Sequence, residues 1–147
     1  HRVQGFSHCL PWLISVGDDV TLASNVRILA HDASTVKAGA HTKIGVVKIG
    51  NNVFIGADSI VLCNTRIGDN VIIGAGSVVT HDIPSDSVYA GNPAKFVCSF
   101  SDFQAKHLKN LETKPYFSEH RWDEWANVAE EEQQEMRKRL ESTFGYV

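Results

Sequence analysis

Residues 49–84 read IGNNVF IGADSI VLCNTR IGDNVI IGAGSV VTHDIP when cut every six positions. Each block opens on Ile or Val: Ile49, Ile55, Val61, Ile67, Ile73 and Val79. Neither regular structure repeats at six, since helix faces recur near 3.6 residues and strand faces at 2. Three positions after each opener stand Asn52, Asp58, Asn64, Asn70, Gly76 and Asp82. Asn, Asp and Gly are the residues that best tolerate positive φ. One position later come Val53, Ser59, Thr65, Val71, Ser77 and Ile83, all small or β-branched. The block therefore describes a short strand, a left-handed corner and two inward side chains. If three blocks close one turn, adjacent turns stack like parallel strands, about 4.8 Å apart, which is the pattern of a parallel β-helix.

Upstream, the rhythm continues through Leu10, Val16, Leu22 and Ile28. Asp19, Asn25 and His31 take the corner positions there, and only Leu13 breaks the pattern. The spacing from Ile28 to Ile49 reads as one full coil plus three residues, which puts His31 on the same corner as Asn52 and Asn70. Between them, STVKAGAHTKIGVV offers no opener in register, and a loop is expected over about 33–47. Asp32 falls where other blocks place an inward residue, so its carboxylate must be paired, hydrogen-bonded or released to water. Interrupted repeats are where such proteins place function.

His31, just before the break, has two readings. It is either a stand-in for Asn at a positive-φ corner, or a general base, because imidazole titrates near neutrality. His41 in the loop is the rival base, with surface solvation as its plainer role. His81 sits beside an expected corner and needs no catalytic role.

Composition sets the outer bounds. The 147 residues, 43% hydrophobic and 21% charged, suit one modest domain. A net charge of −3 gives no reason to expect nucleic-acid binding. No apolar run reaches membrane-spanning length and no signal peptide is evident. The chain begins at His1, not Met, consistent with a preceding segment. Cys9, Cys63 and Cys98 are widely spaced and form no CxxC, so reduced thiols in a cytoplasmic setting are expected.

Residues 1–98 contain no Glu, and all eight Glu lie between Glu112 and Glu141. Ten of the eleven Gly lie at or before Gly91. This shift places a boundary near 98, with a β-helix over 1–98 and a helical segment over 99–147. One helix is expected from Ser101, with Ser101 and Gln104 as a capping box and Phe100, Phe103, Leu108 and Leu111 as its apolar stripe, ending at Pro115. A second is expected from about Trp122 to Ser142, with acids early and Arg137, Lys138 and Arg139 late. Trp122, Trp125, Ala129, Met136 and Leu140 form its apolar stripe. These helices are candidates to cap the solenoid's open end.

The repeats, the tail IGAGSVVTHDIPSDSVYAGNPAK and HDAS ahead of a loop together resemble the hexapeptide-repeat acyltransferases, most closely the sugar and capsular-polysaccharide O-acetyltransferases. The resemblance covers roughly residues 10–98. It implies a left-handed parallel β-helix, usually trimeric, a handedness that runs against the usual right-handed crossover rule and does not follow from periodicity. It further implies acetyl-CoA bound in a cleft between subunits, with no metal. A His before the loop deprotonates an acceptor hydroxyl, which attacks the thioester directly.

Carried over, the resemblance makes His31 the general base. Gly56 and Ala57 match the stretch along the pantetheine arm and thioester, where a backbone amide can stabilise the oxyanion. Gly74 and Ala75 match backbone contacts further along the arm. Thr80 and His81 match the segment near the adenine, and Lys95 a basic residue near the phosphates. Relatives often carry Lys at the position of His81 and Trp at that of Phe54. The implied activity is acetyl transfer to a hydroxyl, less readily an amino group, of a sugar or polysaccharide precursor. Two other classes compete. Gamma carbonic anhydrases share the fold and bind zinc through three His, but His31, His41 and His81 lack the required close same-face pair. A non-catalytic scaffold would not need His31, the loop and the GNPAK tail together.

Overall fold

The computed structural model of the chain describes residues 10–118 and 128–147. From Ile14 onward the chain winds as a left-handed parallel β-helix. The first coil holds β1 (Ile14–Val16), β2 (Val20–Leu22) and β3 (Arg27–Ile28). A hairpin follows, β4 (His31–Asp32) and β5 (Lys43–Ile44). The second coil is β6 (Val47–Ile49), β7 (Val53–Ile55) and β8 (Ile60–Val61), and the third is β9 (Thr65–Ile67), β10 (Val71–Ile73) and β11 (Val78–Val79). β12 (Ser87–Ala90) begins a fourth turn, and β13 (Lys95–Ser99) runs back beside it.

The strands stack into three faces. Face one is β1-β6-β9 and face three is β3-β8-β11, both parallel. Face two is β2-β7-β10-β12, closed by antiparallel β13. The openers form the inner wall: Ile28, Ile49, Ile55, Val61, Ile67, Ile73 and Val79 are all at most 4% exposed. The next inward positions, Val26, Val53, Ser59, Thr65, Val71, Ser77 and Ile83, are buried too. Their Ser hydroxyls remain satisfied: Ser59 Oγ donates to the Gly74 carbonyl (3.1 Å) and accepts from the Ser77 amide (3.3 Å). Among the described residues no buried side-chain N or O lacks a partner.

Seven expected corners do take positive φ: Asp19, Asn25, Asn52, Asp58, Asn64, Asn70 and Gly76. Their side chains add ladders between coils. Asn52 Nδ2 donates to Asn70 Oδ1 (2.9 Å), and Asn70 Nδ2 to Asp86 Oδ1 (2.8 Å). His31 and Asp82 do not adopt the left-handed conformation expected of them. His31 lies in extended hairpin backbone instead. After Ile67 the coil shortens, because Ile67 bridges Ile83 and Val71 pairs with Ser87, so the last corner falls at Asp86 (φ 60°).

The register also corrects the reading of the break. Pairing steps by 18 residues from Ile49 to Ile67 but by 33 from Ile28 to Val61. The break is therefore an ordinary step plus a 15-residue excursion that leaves and rejoins one corner. Its neck is closed by the Gly45 amide donating to the Ala30 carbonyl (3.0 Å). His31 accordingly aligns with Asn64, not with Asn52 and Asn70.

The chain divides into two compact units, His1–Phe103 and Gln104–Val147. Helix α1 (Phe100–Leu111) is capped by Ser99, whose Oγ accepts from the Asp102 amide (3.0 Å). β13 keeps the chain extended as far as Ser99, so the first turn begins one residue before the expected start, and Ser101 Oγ lies against Ser99 Oγ instead. Leu108 and Leu111 are exposed rather than lining a buried stripe. In the second unit, α2 (Glu130–Leu140) carries Glu130–Glu132 in its first turn and Arg137–Arg139 in its last, as the helix dipole favours. Met136 and Leu140 are half-buried. The Trp122–Trp125 start expected for this helix, and Cys9, lie outside the described residues. Cys63 and Cys98 are free thiols.

Candidate active site

Two corners of the coil concern the site. Between faces two and three, the chain turns through Ala23–Ser24, Gly56–Ala57 and Gly74–Ala75 in successive coils. A Cβ on Gly56 would collide with the backbone nitrogen of Ala75 and come within 2.7 Å of its Cα. One on Gly74 would lie 2.9 Å from the Ala90 Cβ. Both glycines are thus required by coil stacking itself, and their amides are used in it: Gly56 donates to Ile73 (2.8 Å) and Gly74 to Tyr89 (2.9 Å).

Ala57 and Ala75 differ. Their carbonyl and amide roles separate: the Ala57 carbonyl accepts from Gly76 (2.8 Å), while neither alanine's amide has an acceptor among the described residues. Ser24 extends this column one coil earlier, a member that the residue pattern at Ala23–Val26 could have revealed. Phe54, 43% exposed, stands outward on β7 just before the corner. At the far end, Lys95 pairs in register with Ala90, directly above the Gly74 position. The result is a column of small residues whose alanine amides are not used in coil stacking, with a cation at its end.

His31 occupies a different corner, between faces three and one. Thr80 and His81 share that corner two coils further on, roughly 10 Å away at strand spacing. Thr80 Oγ1 and His81 Nδ1 are hydrogen-bonded (2.7 Å). A face is about five residues wide, roughly 15 Å, so one chain does not bring His31 against Ala57. His31 is half-buried. Asp32, expected to point inward, is exposed and opens the loop: its Oδ1 accepts from the Ser34 amide (2.9 Å). Thr35 Oγ1 bridges the loop to the His41 carbonyl (2.7 Å). Hydrogen bonds from Ser34, side chain then backbone, hold the Asp32 carboxyl below its ordinary value, with the charges of Lys43 and His31 adding to the effect. His41 is exposed. Among the described residues no three His, Cys, Asp or Glu side chains gather as a metal site. Nor is any helix there long and apolar enough to cross a membrane.

A left-handed β-helix of six-residue blocks, interrupted by one loop that carries a histidine, is the architecture of the hexapeptide-repeat transferases. Residues 47–81 match the family described as bacterial transferase hexapeptide (six repeats). It is similar to Protein CapG of Staphylococcus aureus, 44% identical over 106 residues that cover 69% of this chain and 62% of that protein. Among solved structures, a galactoside acetyltransferase in complex with coenzyme A matches with a TM-score of 0.58 and 34% identity, over 63% of this chain and 48% of the other. A maltose O-acetyltransferase from Clostridium difficile 630 matches with a TM-score of 0.54 and 34% identity, over 60% and 59%. The chain spans about three fifths of the length of the curated relatives it matches.

Proposed function

We propose that this chain is an acetyltransferase that moves the acetyl group of acetyl-CoA to a hydroxyl of a sugar or polysaccharide precursor in the cytoplasm. The observation that carries the reading is the column Ser24–Ala57–Ala75, whose alanine amides have no acceptor among the described residues, with Lys95 at its end. It suits a long, flat ligand with hydrogen-bonding amides in its arm and phosphates at one end, and the similar galactoside acetyltransferase was solved with coenzyme A.

In the proposed reaction the His31 imidazole takes the acceptor's hydroxyl proton as its oxygen attacks the thioester carbonyl carbon. The oxyanion that forms accepts a hydrogen bond from the Ala57 amide, since the Gly56 amide is committed to Ile73. The C–S bond then breaks, and the CoA thiolate leaves and takes the proton back from the imidazolium. Because His31 and Ala57 lie on different edges of the β-helix, the reading requires a homotrimer, in which His31 of one subunit faces the alanine column of the next. Holding donor and acceptor together across that cleft would supply much of the rate.

Release of CoA thiol, followed across a panel of sugars, nucleotide sugars, amino sugars and serine, tests the reading. Acceptor-dependent release is expected with sugar hydroxyls and weaker release with amino sugars. Absence of acetyl-CoA turnover with every acceptor, and of acetyl-CoA binding, would reject it.

A further inference from the structure

The hairpin that carries His31 has two unlike sides. Directly opposed residues of an antiparallel pair place their side chains on the same side, with Cβ atoms about 4.5–5.5 Å apart. β4 and β5 pair His31 with Ile44 and Asp32 with Lys43. One side therefore carries a carboxylate and an ammonium, and Lys43 is among the charges that lower the Asp32 pKa. The other side carries an imidazole and a branched apolar chain. The Gly45-to-Ala30 hydrogen bond lies one residue outside the His31–Ile44 pair on each strand. That makes it a non-hydrogen-bonded pair, the closer of the two antiparallel kinds, with Cα atoms about 4.5 Å apart.

Ile44 is 59% exposed. It lies between the polar stretch His41–Lys43 and the core wall that resumes at Val47. We propose that Ile44 is a positioning residue for His31. It stands beside the imidazole and limits the ring's rotation, holding it in place to accept a proton. This rests on the reading of His31 as the general base. Among the described residues, Asp32 and Lys43 lie on the hairpin's opposite side and His41 in the loop. On the coil, His81 and Asp82 belong to the same corner, beyond neutral Asn64.

The test replaces Ile44 in the full chain with Glu, Lys or Val. His31 is titrated by NMR without substrates, and the pH profile of kcat/KM for acetyl transfer is measured alongside. I44E and I44K place opposite charges beside the ring and are expected to displace the His31 titration in opposite directions. The acid limb of kcat/KM should move in the same directions, because only the neutral ring accepts a proton. I44V, which keeps a branched apolar surface, should restore the wild-type profile. Identical His31 titrations in I44E and I44K would overturn the pairing. A titration that shifts while the kinetic limb stays fixed would retain the pair but remove His31 as the base, and with it the role given to Ile44.

Discussion

Replacing His31 with alanine is expected to lower kcat by about 10²–10⁴, the usual contribution of a positioned general base. Acetyl-CoA affinity should stay within about twofold, because the lost group acts on the acceptor proton and makes no ground-state contact with the donor. The variant should fold normally, since His31 lies on a hairpin outside the coil wall and its substitution removes no residue of the buried ladder. Steady-state kinetics with calorimetry on the same preparation separate the two effects. Near wild-type turnover would remove His31 from the mechanism, and lost binding would make it a donor-site residue instead.

The second large effect is on stability. Ile73→Ala should destabilise the chain by about 2–5 kcal/mol, the range for emptying a close-packed core site. Ile73 is fully buried on β10, between β7 and β12, where coils above and below prevent the wall from collapsing into the space. Val16→Ala offers the comparison, since Val16 is also an opener but is 37% exposed in the first coil. It should cost less than about 1 kcal/mol. Denaturant unfolding at one fixed protein concentration measures both, because oligomer formation would otherwise shift the midpoints. Equal losses would mean that the coil does not draw its stability from the inward wall.

These two residues illustrate what could be read without coordinates. Ile73 was legible because a coil leaves its opener no other place to go, and Asn70 because few residues tolerate a left-handed corner. His31 stands out in the sequence by type and by its place ahead of a break, but its place on the coil does not. An excursion carries no register, so counting sixes across it put His31 with Asn52 and Asn70. Only the pairing of Ile28 with Val61 restores it to the corner of Asn64. The shortened turn after Ile67 misled in the same way, moving the last corner from the expected rhythm to Asp86.

Other features were hidden for a different physical reason. Ile44 meets His31 only through hairpin pairing across the loop, and no local pattern encodes that. The division of labour between Gly56 and Ala57 also needed the neighbouring coil. Both residues are small, but Gly56 is small because Ala75 lies against it, whereas the Ala57 amide takes no part in the ladder among the described residues. At the start of α1 the competing caps were Ser99 and Ser101, and the length of β13 decided between them.

The central claim is that the alanine corner is the acetyl-CoA groove. Amide chemical-shift mapping on titration with acetyl-CoA tests it most directly. The account predicts saturable shifts centred on the Ala57 and Ala75 amides and reaching Lys95. Absence of saturable shifts, or shifts confined to residues away from that corner, would contradict it.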